Sequence, residues 1–317
     1  MKRASLLGLC LALNVMCAPV ALAEPVELTG EAALKYERDR SAGSPAVNGR
    51  VFSFTLNATA KLSDKISLYG RLGAQSTSNT LIKDFDDAYG ADKKAVIGLD
   101  QFGLTWEQDE LVYKLGRQDL TIGSTALLYS RPATNIGKRA FVDGLAVNGT
   151  VGDTDVAFFA GQEDSAGSVD NRLIALRASY SPNDTWTYGA TVGRYVNKGA
   201  GETTNHWALD GTYKFGKNSL TVETTRASSS QNNKAHIVKW DYGFNDKLSA
   251  FVAAFRVEEN GSMGGNSDFD SDNRGLHYSA TYKFDDNLSL ETIFKNQKKL
   301  TTGERNNSLE LTLHYAF

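Results

Sequence analysis

From about residue 26 to the last residue, apolar and polar side chains alternate singly over short stretches, the two-residue period of β-strands whose faces meet different surroundings. In the final eleven residues, NSLELTLHYAF, Leu309, Leu311, Leu313, Tyr315 and Phe317 alternate with Ser308, Glu310, Thr312, His314 and Ala316. In the stretch 26–37, Val26, Leu28, Ala32, Leu34 and Tyr36 oppose Glu27, Thr29, Glu31, Lys35 and Glu37. Sixteen such segments are predicted: 26–37, 50–62, 65–76, 96–106, 111–118, 141–149, 154–161, 172–181, 185–196, 205–216, 218–227, 235–244, 248–258, 274–284, 287–297 and 307–317. The least regular are 96–106, 141–149 and 154–161, which leaves fourteen strands as the alternative.

The segments come in pairs. The motifs AKLSDKISLYG (60–70), YGFNDKLSAFV (242–252) and YKFDDNLSLET (282–292) repeat one design: an apolar pair, two or three turn-forming residues, then a new alternating strand. YSPNDTWTYGA (180–190) and YKFGKNSLTVE (213–223) are looser copies. The opposite connections are longer and polar: 77–95, 119–140, 162–171, 228–234, 258–273 and 298–306. Aromatic residues gather where strands approach the short turns: Trp106, Tyr180, Trp186, Tyr188, Tyr213, Phe215, Tyr242, Phe244, Tyr282, Phe284, Tyr315 and Phe317. Such rings are stable at lipid headgroup level. Short turns on one side, long loops on the other and an aromatic belt predict an all-β fold, a transmembrane antiparallel β-barrel with periplasmic turns and external loops. Sixteen strands enclose a water-filled channel, whereas about eight are filled by their own side chains.

Composition alone does not separate this reading from a soluble one, because a barrel with half-polar strands has the observed mean hydropathy of −0.34. The 29 Gly against 5 Pro, with 13 Tyr and 15 Phe, suit strands and tight turns. The start of the chain supplies a compartment. Lys2 and Arg3 precede an apolar stretch, and Ala21-Leu22-Ala23 reads as a cleavage site, so residues 1–23 are expected to be a removed signal peptide and 24–317 the barrel domain. Cleavage would leave 294 residues, take away two bases and no acid, and move the formal charge from −3 to −5. Cys10 and Cys17 would leave with the signal peptide, which removes thiol, disulfide and Cys-ligated metal chemistry. Leu9 and Met16 before them are too bulky for a lipidation signal.

The segment YKLGRQDLTIG (113–123) resembles the general diffusion porins of Gram-negative bacteria, in which a strand ending in an "LGRQ"-like segment precedes the third external loop. The aromatic C-terminal strand resembles theirs as well. The resemblance implies that residues 119–140 fold into the pore as a constriction loop and that the protein is a homotrimer in the outer membrane, with loop 77–95 as a latch onto a neighbour. It departs from the family in charge: residues 119–140 hold one acid, Asp119, against Arg131, Lys138 and Arg139. Selectivity arises where a pore narrows and few waters screen its charges. The candidate constriction residues are Arg71, Lys114, Arg117, Asp119, Tyr129, Arg131, Lys138, Arg139, Asp143 and Arg177. The basic loop predicts weak anion preference; the alternative is that its bases pair with lipopolysaccharide phosphates or with Asp143. Tyr69, Tyr129 and Tyr195 are candidates for a sugar-guiding track.

Other chemistry is thin. His206 and Asp210 share a strand face but lie about 13 Å apart along it, too far for a catalytic pair. His314 has no marked Ser partner. Asp268, Asp270 and Asp272 have the spacing that opens a calcium loop, but Asn273 stands where that loop needs Gly, and Ser279 where it needs Glu. No enzyme, cofactor, metal or nucleic-acid partner is expected. The expected function is passive diffusion of small hydrophilic solutes and ions, with outer-membrane lipid and lipopolysaccharide as surroundings. A channel specific for sugars or small carboxylates is the alternative, and a plugged structural or enzymatic barrel a third reading.

Overall fold

The computed structural model describes residues 25–82, 94–164 and 169–317. The expected signal peptide and most of loop 77–95 lie outside the described residues. The strands are β1 (Glu27–Ser41), β2 (Val47–Ser63), β3 (Ile66–Thr77), β4 (Ala95–Gln108), β5 (Leu111–Gln118), β6 (Leu120–Ile122), β7 (Tyr129–Arg131), β8 (Val142–Val151), β9 (Thr154–Glu163), β10 (Arg172–Tyr180), β11 (Trp186–Asn197), β12 (Glu202–Phe215), β13 (Asn218–Ala227), β14 (Lys234–Gly243), β15 (Leu248–Val257), β16 (Asn273–Lys283), β17 (Leu288–Lys299) and β18 (Arg305–Ala316). All except β6 and β7 form one closed antiparallel barrel of sixteen strands, each paired with its neighbours in chain order, and β18 returns to β1. The alternating segments are the barrel strands; 111–118 and 218–227 match to the residue. The hairpin β6–β7 was not expected. It lies within 119–140, followed by a short 3-10 turn at Lys138–Ala140.

Closure rests on the C-terminal strand. β18 pairs with β1 from Glu31↔Ala316 to Ser41↔Asn306, and Gly30 and Phe317 exchange both backbone hydrogen bonds, at 2.8 and 3.0 Å. Gly30 is needed here because a Cβ would sit 2.4 Å from the Phe317 ring. That ring stacks on Phe54 at 5.9 Å between centroids, so the last residue is seated over the first strand pair.

The repeated turns have one physical cause. Asn183 Oδ1 accepts from the backbone N–H groups of Thr185 and Trp186, Asn245 Oδ1 from Lys247 and Leu248, and Asp285 Oδ1 from Asn287 and Leu288, all at 2.8–3.0 Å. A side-chain oxygen at the first turn residue satisfies the two donors that the reversing chain leaves free. All twelve belt aromatics are exposed on the outer face, and they touch across strands, as in Trp186–Tyr213 at 4.5 Å and Trp106–Tyr113 at 5.0 Å.

The inner face departs from simple alternation in two ways. At β4 the register against β3 slips between Arg71↔Gln101 and Leu72↔Leu99. This bulge buries Asp100 and Gln101 side by side, while Leu99 and Phe102 stay exposed. On β8–β16, moreover, many inward residues are apolar. Ala146, Phe159, Leu173, Ala175, Tyr195 and Ala208 pack with Ile122, Leu128, Tyr129 and Met263. Ala235, Ile237, Ala253, Phe255 and Val257 pack with Leu127 and Phe269. The barrel thus contains a hydrophobic core built between its wall and two of its loops.

Candidate pore constriction

The segment 119–140 folds inward, as the resemblance implied, and three contacts fix it. At its tip, Glu223 of β13 accepts from the N–H and hydroxyl of both Ser124 and Thr125, at 2.7–3.0 Å. Gly123, at φ 101°, lets the chain turn there; a Cβ would fall 2.3 Å from Glu223 Oε1. At its middle, buried Glu163 accepts from the Tyr129 hydroxyl (3.0 Å), the Tyr195 hydroxyl (2.9 Å), Asn266 (2.8 Å) and Asn171 (3.0 Å), and Arg131 lies 3.5 Å away. On the return limb, Arg71 is held bidentately by Asp100 at 2.8 and 2.9 Å and donates to the Ala133 and Asn135 carbonyls, while Gly137 N–H donates to Asp100. A buried ion is tolerated only when such partners replace its hydration. Burial, which outweighs the opposing pull of Arg131, holds the Tyr129 hydroxyl well above its usual range, so it remains a donor.

Beside this loop lies a cavity of about 1110 Å³. Its walls come from β1–β5, β17 and β18, from residues 130–140 and from Asn266. Among the described residues, none on β8–β16 borders it. Of the candidates, Arg71, Lys114, Asp119, Arg131 and Arg139 meet on this cavity. Arg71 is only 5% exposed, so it anchors the loop while its charge is cancelled by Asp100. Lys114 lies 3.4 Å from Asp119 and 4.8 Å from the centre of the Tyr69 ring. Arg139 is exposed and has no carboxylate in ion-pair range among the described residues. The opposite wall carries Glu31, Glu291 and Glu310 with Lys35 and His314; Glu310 is bridged by Lys295 at 2.7 Å and Lys35 at 3.8 Å.

The remaining candidates are placed elsewhere. Arg117 pairs with Asp143 and Asp164, at 2.7 and 2.8 Å, and neither Arg131 nor Arg139 pairs with Asp143 among the described residues. Arg177 is paired with Asp210 on β12. The Lys138 side chain lies outside what is described. Tyr129 and Tyr195 are buried and spend their hydroxyls on Glu163, so they form no track with Tyr69. Asp270 accepts from Gln297 and Asp272 from Thr301, and no group of three His, Cys, Asp or Glu among the described residues is placed to hold a metal. His206 bonds Thr204, and His314 lies between Glu31 and Glu291. The sequence reading missed Asp100, hidden by the bulge, and Glu163, which the inward parity of Asp155, Phe159 and Gly161 would have reached had β9 been carried two residues further.

No protein-family model matches the chain, and no curated protein matches it in sequence. Solved structures do match in shape. A mutant of the Rhodopseudomonas blastica porin is 11% identical over 92% of this chain and all of its own, with a TM-score of 0.61. Salmonella typhi OmpF is 12% identical over 92% of this chain and 97% of its own, at 0.61. Vibrio cholerae OmpT, as a loop L8 deletion mutant, is 15% identical over 93% of this chain and all of its own, at 0.60. At these identities the likeness is one of fold, and the fold is that of the sixteen-stranded bacterial porins.

Proposed function

We propose that this protein is a bacterial outer-membrane porin that lets small hydrophilic solutes and ions diffuse down their own gradients. The observation that carries the reading is a closed sixteen-stranded barrel with an exposed apolar outer face, around a polar, charge-lined cavity of about 1110 Å³ narrowed by an inward loop. Such a wall needs lipid outside, and such a lumen holds water. Passive flow requires neither cofactor nor catalytic group. The solved structures of this shape are porins, and one OmpT structure is described as a trimer form; a homotrimer seated among lipopolysaccharide is the corresponding proposal here.

The channel weakly prefers anions. Arg131 and Arg71 are offset by Glu163 and Asp100, so the preference rests chiefly on Arg139, which has no carboxylate in ion-pair range among the described residues. In liposomes loaded with an impermeant polymer, the reconstituted protein should allow swelling in isosmotic sugars at rates that fall steeply with sugar size. Liposomes that do not swell in even the smallest sugar would overturn the reading.

A further inference from the structure

We propose that the external loop between β15 and β16, residues 258–272, is a second constriction element that sets the pore's cross-section jointly with 119–140. This rests on the channel reading above and concerns what narrows that channel.

The sequence makes this segment look like a solvated outer loop, with five Gly and Asn residues between Asn260 and Asn266 and three Asp residues after them. Yet it turns into the barrel and docks on the first inward loop through four bonds: Met263 N–H to the Leu128 carbonyl (2.8 Å), Ser130 N–H to the Asn266 carbonyl (3.2 Å), and Asp268 N–H (3.3 Å) and the Ser267 hydroxyl (3.2 Å) to the Ala126 carbonyl. Backbone groups taken from water into a lumen must find such partners. Two apolar side chains complete the attachment. Met263 is fully buried among Leu128, Tyr129 and Tyr195. Phe269 lies 5.1 Å from the rings of both Phe255 and His277.

The wall beneath explains why the loop must be there. Leu173, Ala175, Ile237, Ala253, Phe255 and Val257 face the lumen and are buried, a surface that a water-filled barrel leaves uncovered only at a cost. With the two loops covering it, the cavity of about 1110 Å³ lies on the side of β1–β5, β17 and β18, and Asn266 brings the second loop to the cavity edge. Glu163 ties the two loops together, since its carboxylate accepts from Tyr129 of one and Asn266 of the other.

The test compares single-channel conductance of the full-length channel with a variant in which residues 259–271 are replaced by a short Gly-Ser turn. Conductance should rise by roughly twofold or more, because flow follows the open cross-section, and larger sugars should enter liposomes. Equal conductance and an unchanged sugar cut-off, with the wild type conducting, would overturn the proposal alone. A wild type that does not conduct would overturn the channel reading and the proposal with it. Because uncovering the apolar wall can spoil assembly, a second variant carries Ala126→Cys and Asp268→Cys, at the docked backbone pair. Oxidation should cross-link it fully and leave conductance at the value of the same variant when reduced; failure to cross-link, or a channel silenced by the cross-link, would contradict a docked loop in the conducting state.

Discussion

Glu163 is the residue on which the interior depends most. Two tyrosines, two asparagines and Arg131 converge on a carboxylate that is 1% exposed. Glu163→Ala leaves these donors unanswered and should destabilise the protein by about 3–5 kcal/mol, read as a lower denaturant midpoint in detergent, with both inward loops newly open to protease. Glu163→Gln keeps one oxygen but brings an N–H₂ among donors, so it should fall between. Arg139 does different work, because it touches solvent rather than structure: Arg139→Glu should move the reversal potential in a salt gradient towards cations with an unchanged denaturant midpoint, whereas Arg139→Lys should leave both in place. At this scale charge was legible and pairing was not. The sequence singled out Arg71, Lys114, Asp119, Arg131 and Arg139, and these meet on the cavity. It did not show that Arg71 is neutralised, because Asp100 faces inward only through a bulge that shifts the parity of β4 by one.

Among the elements, the outward half of each strand was the easiest to read, since lipid demands apolar residues at every second position and turns demand Asn or Asp at one place. Where alternation failed, it failed for a cause visible in the sequence. LIAL (173–176) and FVAAF (251–255) are apolar on both faces, the signature of a strand covered on both sides. Those runs mark where the two inward loops pack, and the polar composition of 258–272 concealed which loop covered them. The seam between β1 and β18 has its own test. Gly30→Val drives side-chain atoms into the space held by the Phe317 ring and should loosen closure, seen as a lower temperature for the loss of compact mobility on a gel; Phe317→Leu, which frees that space, should partly rescue it.

Taken whole, the molecule is a wide barrel with an off-centre passage. Sixteen strands would leave a broad channel, but the core between wall and loops restricts the opening to one side, where basic residues of the first inward loop and of β3–β5 look across at acids of β1, β17 and β18. Asp268 adds a pH dependence. It is exposed but walled by protein, and this desolvation raises its carboxyl above the usual range, against the pull of Ser130, Lys295 and Lys239. Protonation removes its negative charge as pH falls through its raised carboxylate range, so anion preference should grow on acidification, measured as a reversal potential at several pH values. The most direct test of the account is single-channel recording of the wild-type protein in a planar bilayer under a potassium chloride gradient. The account predicts stable open steps, in triplets for a trimer, with a reversal potential on the chloride side. A reversal potential on the potassium side would contradict the role given to Arg139, and a bilayer that stays silent would contradict the channel itself.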